Sequence, residues 1–240
     1  MLIPVVFLSA VFAGFIQYIA GFGAGIVMMI FFPYYLGVIG AASLSQAICT
    51  GMVIIVAWKY RAYIEKRYFL LPTVFYLITS QFILLTIGKM NVRLLSVGLG
   101  IFLIALAFYS AFIQKNLKIR PTLVSAVVCG LVAGSFSGFF SLGAAPAALY
   151  MLSVTEDREH YLGNLQIIFV INNIASLITR YAKGYYTTDL ILPTFIGFAG
   201  ILVGQRFADR FANRLNRVWL SRIVYGMVAV SGLSTVLQHL

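Results

Sequence analysis

Gly21-Phe22-Gly23-Ala24-Gly25 stands inside an apolar run that extends from residue 4 to residue 37. As one continuous helix, rising ~1.5 Å per residue, that run would be about 51 Å long, against ~30 Å for the hydrocarbon core of a bilayer. Three glycines in five residues interrupt it. In the second half of the chain, Ser141-Leu142-Gly143-Ala144-Ala145-Pro146 occupies the corresponding place. The segment after it is only about twelve residues long before the polar stretch Glu156-Asp157-Arg158-Glu159-His160. That is short for a span and typical of a re-entrant segment.

The surroundings of these breaks are membrane. Hydrophobic residues make up 62% of the 240 and charged residues 10%, with a mean hydropathy of +0.99. A soluble domain is roughly 25% charged, so this chain has too few charges to face water over its surface. The apolar runs lack the alternation of a membrane barrel and read as helices. No polar stretch exceeds about a dozen residues, so no soluble domain is expected. Residues 1–20 carry no positive leader and read as a first membrane segment rather than a cleaved signal. The net charge of +11 belongs to short loops between spans, where topology accounts for it without nucleic acid. Cys49 and Cys129 lie in apolar segments without metal-site spacing and read as ordinary buried cysteines.

Ten apolar segments are expected, five per half: about 3–20, 22–38, 41–58, 68–88 and 93–113, then 122–140, 142–153, 161–179, 189–206 and 217–238. The halves match at an offset of 120 (Ala13/Ala133, Gly14/Gly134, Gly23/Gly143, Ala24/Ala144, Gln46/Gln166). At 121 they match again, Leu71-Pro72-Thr73 with Leu192-Pro193-Thr194. If each half crosses the membrane an odd number of times, thirteen of the lysines and arginines fall on one side. Only Lys89, Arg93, Arg180 and Lys183 fall on the other. An even number would leave nine against eight, with no bias. The positive-inside rule favours the odd case. The expected architecture is therefore an all-α polytopic bundle of two inverted five-segment repeats, residues 1–120 and 121–240. It has Gly-rich breaks or re-entrant hairpins in the first two segments of each half, and both termini outside the cytoplasm. Inverted repeats recur in secondary transporters.

Irregular backbone at membrane depth persists only where protein or a water-lined cavity satisfies it. A helix restarting after a break turns free N–H groups and the positive end of its dipole toward the gap, which favours an anion. Gly21, Gly23, Gly25, Ser141 and Gly143 are the expected lining, with Gln17, Tyr18 and Ser137 as lesser candidates. On the third segment of the second half, Gln166, Asn173, Ser176 and Arg180 share one helix face, with Asn172 beside it. The matching helix carries Gln46 and Thr50 one turn apart. Amides and hydroxyls bond an oxyanion without the desolvation cost of a buried charge; their alternative role is to join neighbouring helices. No acidic residue lies in mid-span, which argues against a built-in proton relay. Arg222 is expected to snorkel to the interface. Neither a metal cluster, a nucleophile with its base, nor a nucleotide loop is evident, so no enzyme chemistry and no cofactor are expected.

Ala13-Gly14 followed by Gly21-Phe22-Gly23-Ala24-Gly25, repeated as Ala133-Gly134 with Gly138, Gly143 and Pro146, resembles the sulfite exporter TauE/SafE family of membrane permeases. The similarity covers almost the whole chain. The family's run of three glycines stands here as Gly-Ala-Gly at 23–25 and Gly-Ala-Ala at 143–145. The resemblance implies a permease of the bacterial inner membrane for small sulfur-containing anions such as sulfite, thiosulfate or organosulfonates. Its partners would be that small anion and the lipid bilayer, with a homo-oligomer left open. A passive anion channel and a non-transporting membrane subunit are the rival expectations.

Overall fold

The computed structural model describes residues 2–20, 23–108, 120, 122–211 and 217–239. These form ten α-helices: α1 (Leu2–Ala20), α2 (Ala24–Phe31), α3 (Pro33–Lys59), α4 (Lys66–Thr86), α5 (Val92–Phe108), α6 (Leu123–Phe140), α7 (Ala144–Val154), α8 (Arg158–Ala182), α9 (Ile191–Phe211) and α10 (Arg217–His239). Five stretches are long and apolar enough to cross a membrane: Pro33–Lys59, Lys66–Lys89, Leu123–Phe140, Arg158–Ala182 and Thr188–Arg210. Leu8, Phe82 and Phe195 each leave about two-thirds of their surface uncovered. Residues of this kind, repeated around a bundle, require lipid rather than water outside. The protein is an all-helical, multi-pass membrane protein.

The expected segment 22–38 is nearly helical to its end: Phe32, between α2 and α3, keeps helical φ and ψ and donates to the Met28 carbonyl, and Pro33 takes the first position of α3. Proline suits that place because its missing N–H would be unpaired there in any case. Four residues later Gly37 adopts φ 64°, ψ 174°, which kinks α3. At eight and eleven residues, α2 and α7 are about 12 and 16 Å long, too short to cross the core alone.

Helix pairs are drawn together by glycine. α1 packs on α9, α6 on α4, α5 on α10 and α3 on α8. Where α6 meets α4, a Cβ on Gly130 would stand 2.6 Å from the Pro72 carbonyl oxygen. Where α5 meets α10, Gly100 and Gly232 each face the other's carbonyl, 2.7 Å from where a Cβ would lie. Without a hydrophobic drive between helices in lipid, such close contacts supply the van der Waals energy of association.

At one end of the bundle, polar side chains fasten α8 to the loop between α3 and α4. Asp157 caps α8 by accepting from the His160 N–H (2.8 Å). That backbone bond, then the His160 ring, holds its carboxyl below the ordinary carboxylate range. The His160 ring also reaches Glu65 (3.1 Å). Asn164, fully buried, donates to the carbonyls of Tyr63 and His160 and accepts from the Glu65 N–H.

Candidate functional site

The two breaks meet. A Cβ on Gly25 would lie 3.3 Å from the Ser141 carbonyl oxygen and 3.6 Å from Ser45 Oγ, so the first turn of α2 runs against the end of α6. Between them is a cavity of about 50 Å³. Its wall includes Gln17, Gly23 and Gly25 from the first half and Ser137, Ser141, Gly143 and Asn173 from the second, with Tyr76, Phe169 and apolar side chains such as Ile26 and Met52 making up the rest. It lies between two apolar clusters, one centred on α1, α2 and α3 and the other on α6, α7 and α8.

The breaks are made differently. At the first, Gly23 has φ 112°, a conformation that a side chain strains. The first free N–H of α2, that of Ala24, is taken by Gln17 Oε1 at 2.9 Å, so part of the donor set expected to face the gap is already occupied. At the second, the left-handed residue is Ser141 (φ 59°, ψ 29°), which terminates α6. No side chain caps α7, and Pro146 in its first turn has no N–H to offer.

Behind Ser141 lies Arg180, the largest fully buried side chain among the described residues. Its guanidinium donates from Nε to Gln46 Oε1 (2.8 Å) and from Nη1 to Ser43 Oγ (3.2 Å). Nη2 donates to the Gly138 carbonyl (3.3 Å) and to Ser141 Oγ (3.2 Å). Ser141 in turn donates to the Ala42 carbonyl (2.9 Å). Gln46 donates from Nε2 to Asn173 Oδ1 (3.2 Å). None of the chain's six acidic residues is buried, and among the described residues none pairs with Arg180. The charge expected in a loop is inside the protein.

The expected site residues thus separate into groups. Gly23, Gly25, Ser141, Gly143 and Asn173 line one cavity, and Gln46 stands one hydrogen bond behind it. Asn172 joins helices: it donates to Ser137 Oγ (3.0 Å) and accepts from Ser80 Oγ (2.7 Å), tying α8 to α6 and α4. Thr50 bonds the Gln46 carbonyl of its own helix (2.7 Å). Gln166 is buried away from the cavity, and its Oε1 has no partner. Gly21 lies outside the described residues, and the side chain of Arg222 likewise. Tyr76 was not anticipated here, and Arg180 was expected on the polar face of α8 but not among the site residues. Arg180 had left a trace in the polar stripe of α8, seven residues beyond Asn173; Tyr76, among the apolar residues of α4, had left none.

Residues 6–235 match the family described as Sulfite exporter TauE/SafE. A curated relative, the probable membrane transporter protein YdhB of Bacillus subtilis (strain 168), is 24% identical over 122 residues. That alignment covers 50% of this chain and 49% of YdhB, so the match spans about half of that protein. No solved structure matches the chain.

Proposed function

The chain belongs to the sulfite exporter TauE/SafE family, and on that premise we propose that it carries small sulfur-containing anions across the bacterial inner membrane by alternating access. Sulfite, thiosulfate and organosulfonates are the substrate class. The observation that carries this reading is the cavity at the meeting of the two breaks. The amides of Gln17 and Asn173 and the hydroxyls of Ser137 and Ser141 stand on an otherwise largely apolar wall, and an arginine without a carboxylate lies behind it. A site of that composition favours an anion.

Two inverted repeats supply the moving parts in this reading. The packing supports them: exchanging the halves turns the pair α1 with α9 into α6 with α4, and leaves α3 with α8 and α5 with α10 as they are. Under the positive-inside rule the loop charges favour both termini outside the cytoplasm, and with Arg180 buried only Lys89, Arg93 and Lys183 remain on the minority side. Secondary transporters with such repeats bind substrate near the midplane, where broken helices meet.

Sulfite flux in proteoliposomes tests the proposal. The expected result is a saturating rate, with Asn173→Ala raising the half-saturating concentration about tenfold, the scale of one lost charge-assisted hydrogen bond. Flux that never saturates would favour a passive channel. Absence of flux for every small sulfur anion from a folded protein would favour a non-transporting subunit.

A further inference from the structure

We infer that Arg180 is the positioning residue that gives this cavity its charge and its hydrogen-bond polarity, so that the ligand it takes is a small oxyanion of about four or five heavy atoms. This rests on the anion-carrier reading above and narrows it.

A guanidinium has donors only. Gln46 must therefore turn its oxygen to Arg180 Nε, which sends its Nε2 the other way, to Asn173 Oδ1. Asn173 has its oxygen occupied and its own amide hydrogens left over, and it is on the cavity wall. Three residues thus relay the requirement of a buried cation to a donor at the site. Arg180 also donates to the Ser141 hydroxyl, a second wall residue.

Charge makes the same demand. A cation removed from water without a counter-ion is costly, and all six acids lie away from it. An anion in the adjacent cavity would meet that charge through protein rather than water, where Coulomb attraction is several times stronger. Size completes the specification. About 50 Å³ holds roughly three to five water-sized groups, at 10–15 Å³ each. Sulfite or thiosulfate fits that space, whereas sulfoacetate, with eight heavy atoms, would have to extend beyond it through the open side of the cavity.

The experiment is sulfite, thiosulfate and sulfoacetate binding to the purified full-length protein, followed by equilibrium titration and by thermal shift. Gln46→Glu places a carboxylate beside Arg180 Nε. It should melt no lower than wild type, because Arg180 gains a counter-ion, while losing at least tenfold in sulfite affinity. Arg180→Lys and Arg180→Gln test the charge independently of that variant. Both lose the planar fork, but only the lysine keeps the cation, so it should bind sulfite at least tenfold more tightly than the glutamine. Gln46→Glu with wild-type affinity, or equal affinities for the two Arg180 variants, would mean that Arg180 merely staples helices; the inference would fall and the carrier reading would stand. Sulfoacetate bound as tightly as sulfite overturns the size limit. Wild type that neither binds nor transports any of the three overturns both readings together.

Discussion

The break at Gly23 and the break at Gly143 match in sequence but differ in what glycine does there. A Cβ on Gly23 would have as its nearest neighbour Ile16 Cγ2 at 3.7 Å, an ordinary contact. The residue is glycine because of its backbone, at φ 112°. A Cβ on Gly143 would overlap the Tyr76 hydroxyl and the Ala133 carbonyl oxygen, while the backbone there is right-handed, at φ −72°. Here glycine is needed for room. Aligned glycines in duplicated segments can therefore serve unrelated physical ends, conformation at one and contact at the other.

The sharpest way to break this comparison is to add one methyl group at each place. Gly143→Ala should have the larger effect, because one of the two obstructing atoms belongs to the backbone of α6 and cannot rotate aside. Overpacking costs typically ~1–3 kcal/mol and occasionally more, and the upper end is expected, read as loss of monodisperse protein or a steep fall in melting temperature. Tyr76→Phe in the same chain removes the hydroxyl but leaves the ring carbon that bore it, 2.8 Å from the new Cβ, and should recover part of the loss. No recovery would leave the Ala133 carbonyl and the ring itself as the barrier.

Gly23→Ala comes next. It has space, so its cost is the strain of a side chain at positive φ, roughly 1–3 kcal/mol. Asparagine tolerates that region better than alanine does, so Gly23→Asn should melt above Gly23→Ala. The reverse order would show that room, not conformation, decides the first break as well.

The same contrast marks what could be read without coordinates. That both places are breaks was legible, because three glycines, or a glycine and a proline, interrupt runs too apolar to end for any other reason. The helices around them were legible from length and composition. The kink at Gly37 was not, since a lone glycine in an apolar run is its only local sign. Ser141 was visible as a polar residue beside the second break but not as its left-handed hinge, because serine gives no warning of positive φ. Arg180 was misplaced for a different reason. A cation two residues before the end of an apolar helix ordinarily marks the interface, and Lys183 reinforces that impression. Its burial depends on Ser43 and Gln46, more than 130 residues earlier. No local pattern reports an acceptor set brought together by packing.

The smallest effect is expected at Ser141, where conformation and contact oppose each other in one residue. Its left-handed backbone costs about 1–2 kcal/mol relative to glycine, and Ser141→Gly should recover much of that. The same change removes a hydroxyl that accepts from Arg180 and donates to Ala42, the neutral bond worth about 1 kcal/mol net and the charged one about 1.5 or more. The relieved strain offsets most of that loss, so Ser141→Gly should melt slightly below wild type. Ser141→Ala loses the hydroxyl without relieving the backbone and should unfold about 1–2 kcal/mol more easily than Ser141→Gly. Thermal unfolding of both variants in one detergent reads the difference directly. If they melt together, the strain assigned to Ser141 is absent, and the second break depends on contact alone.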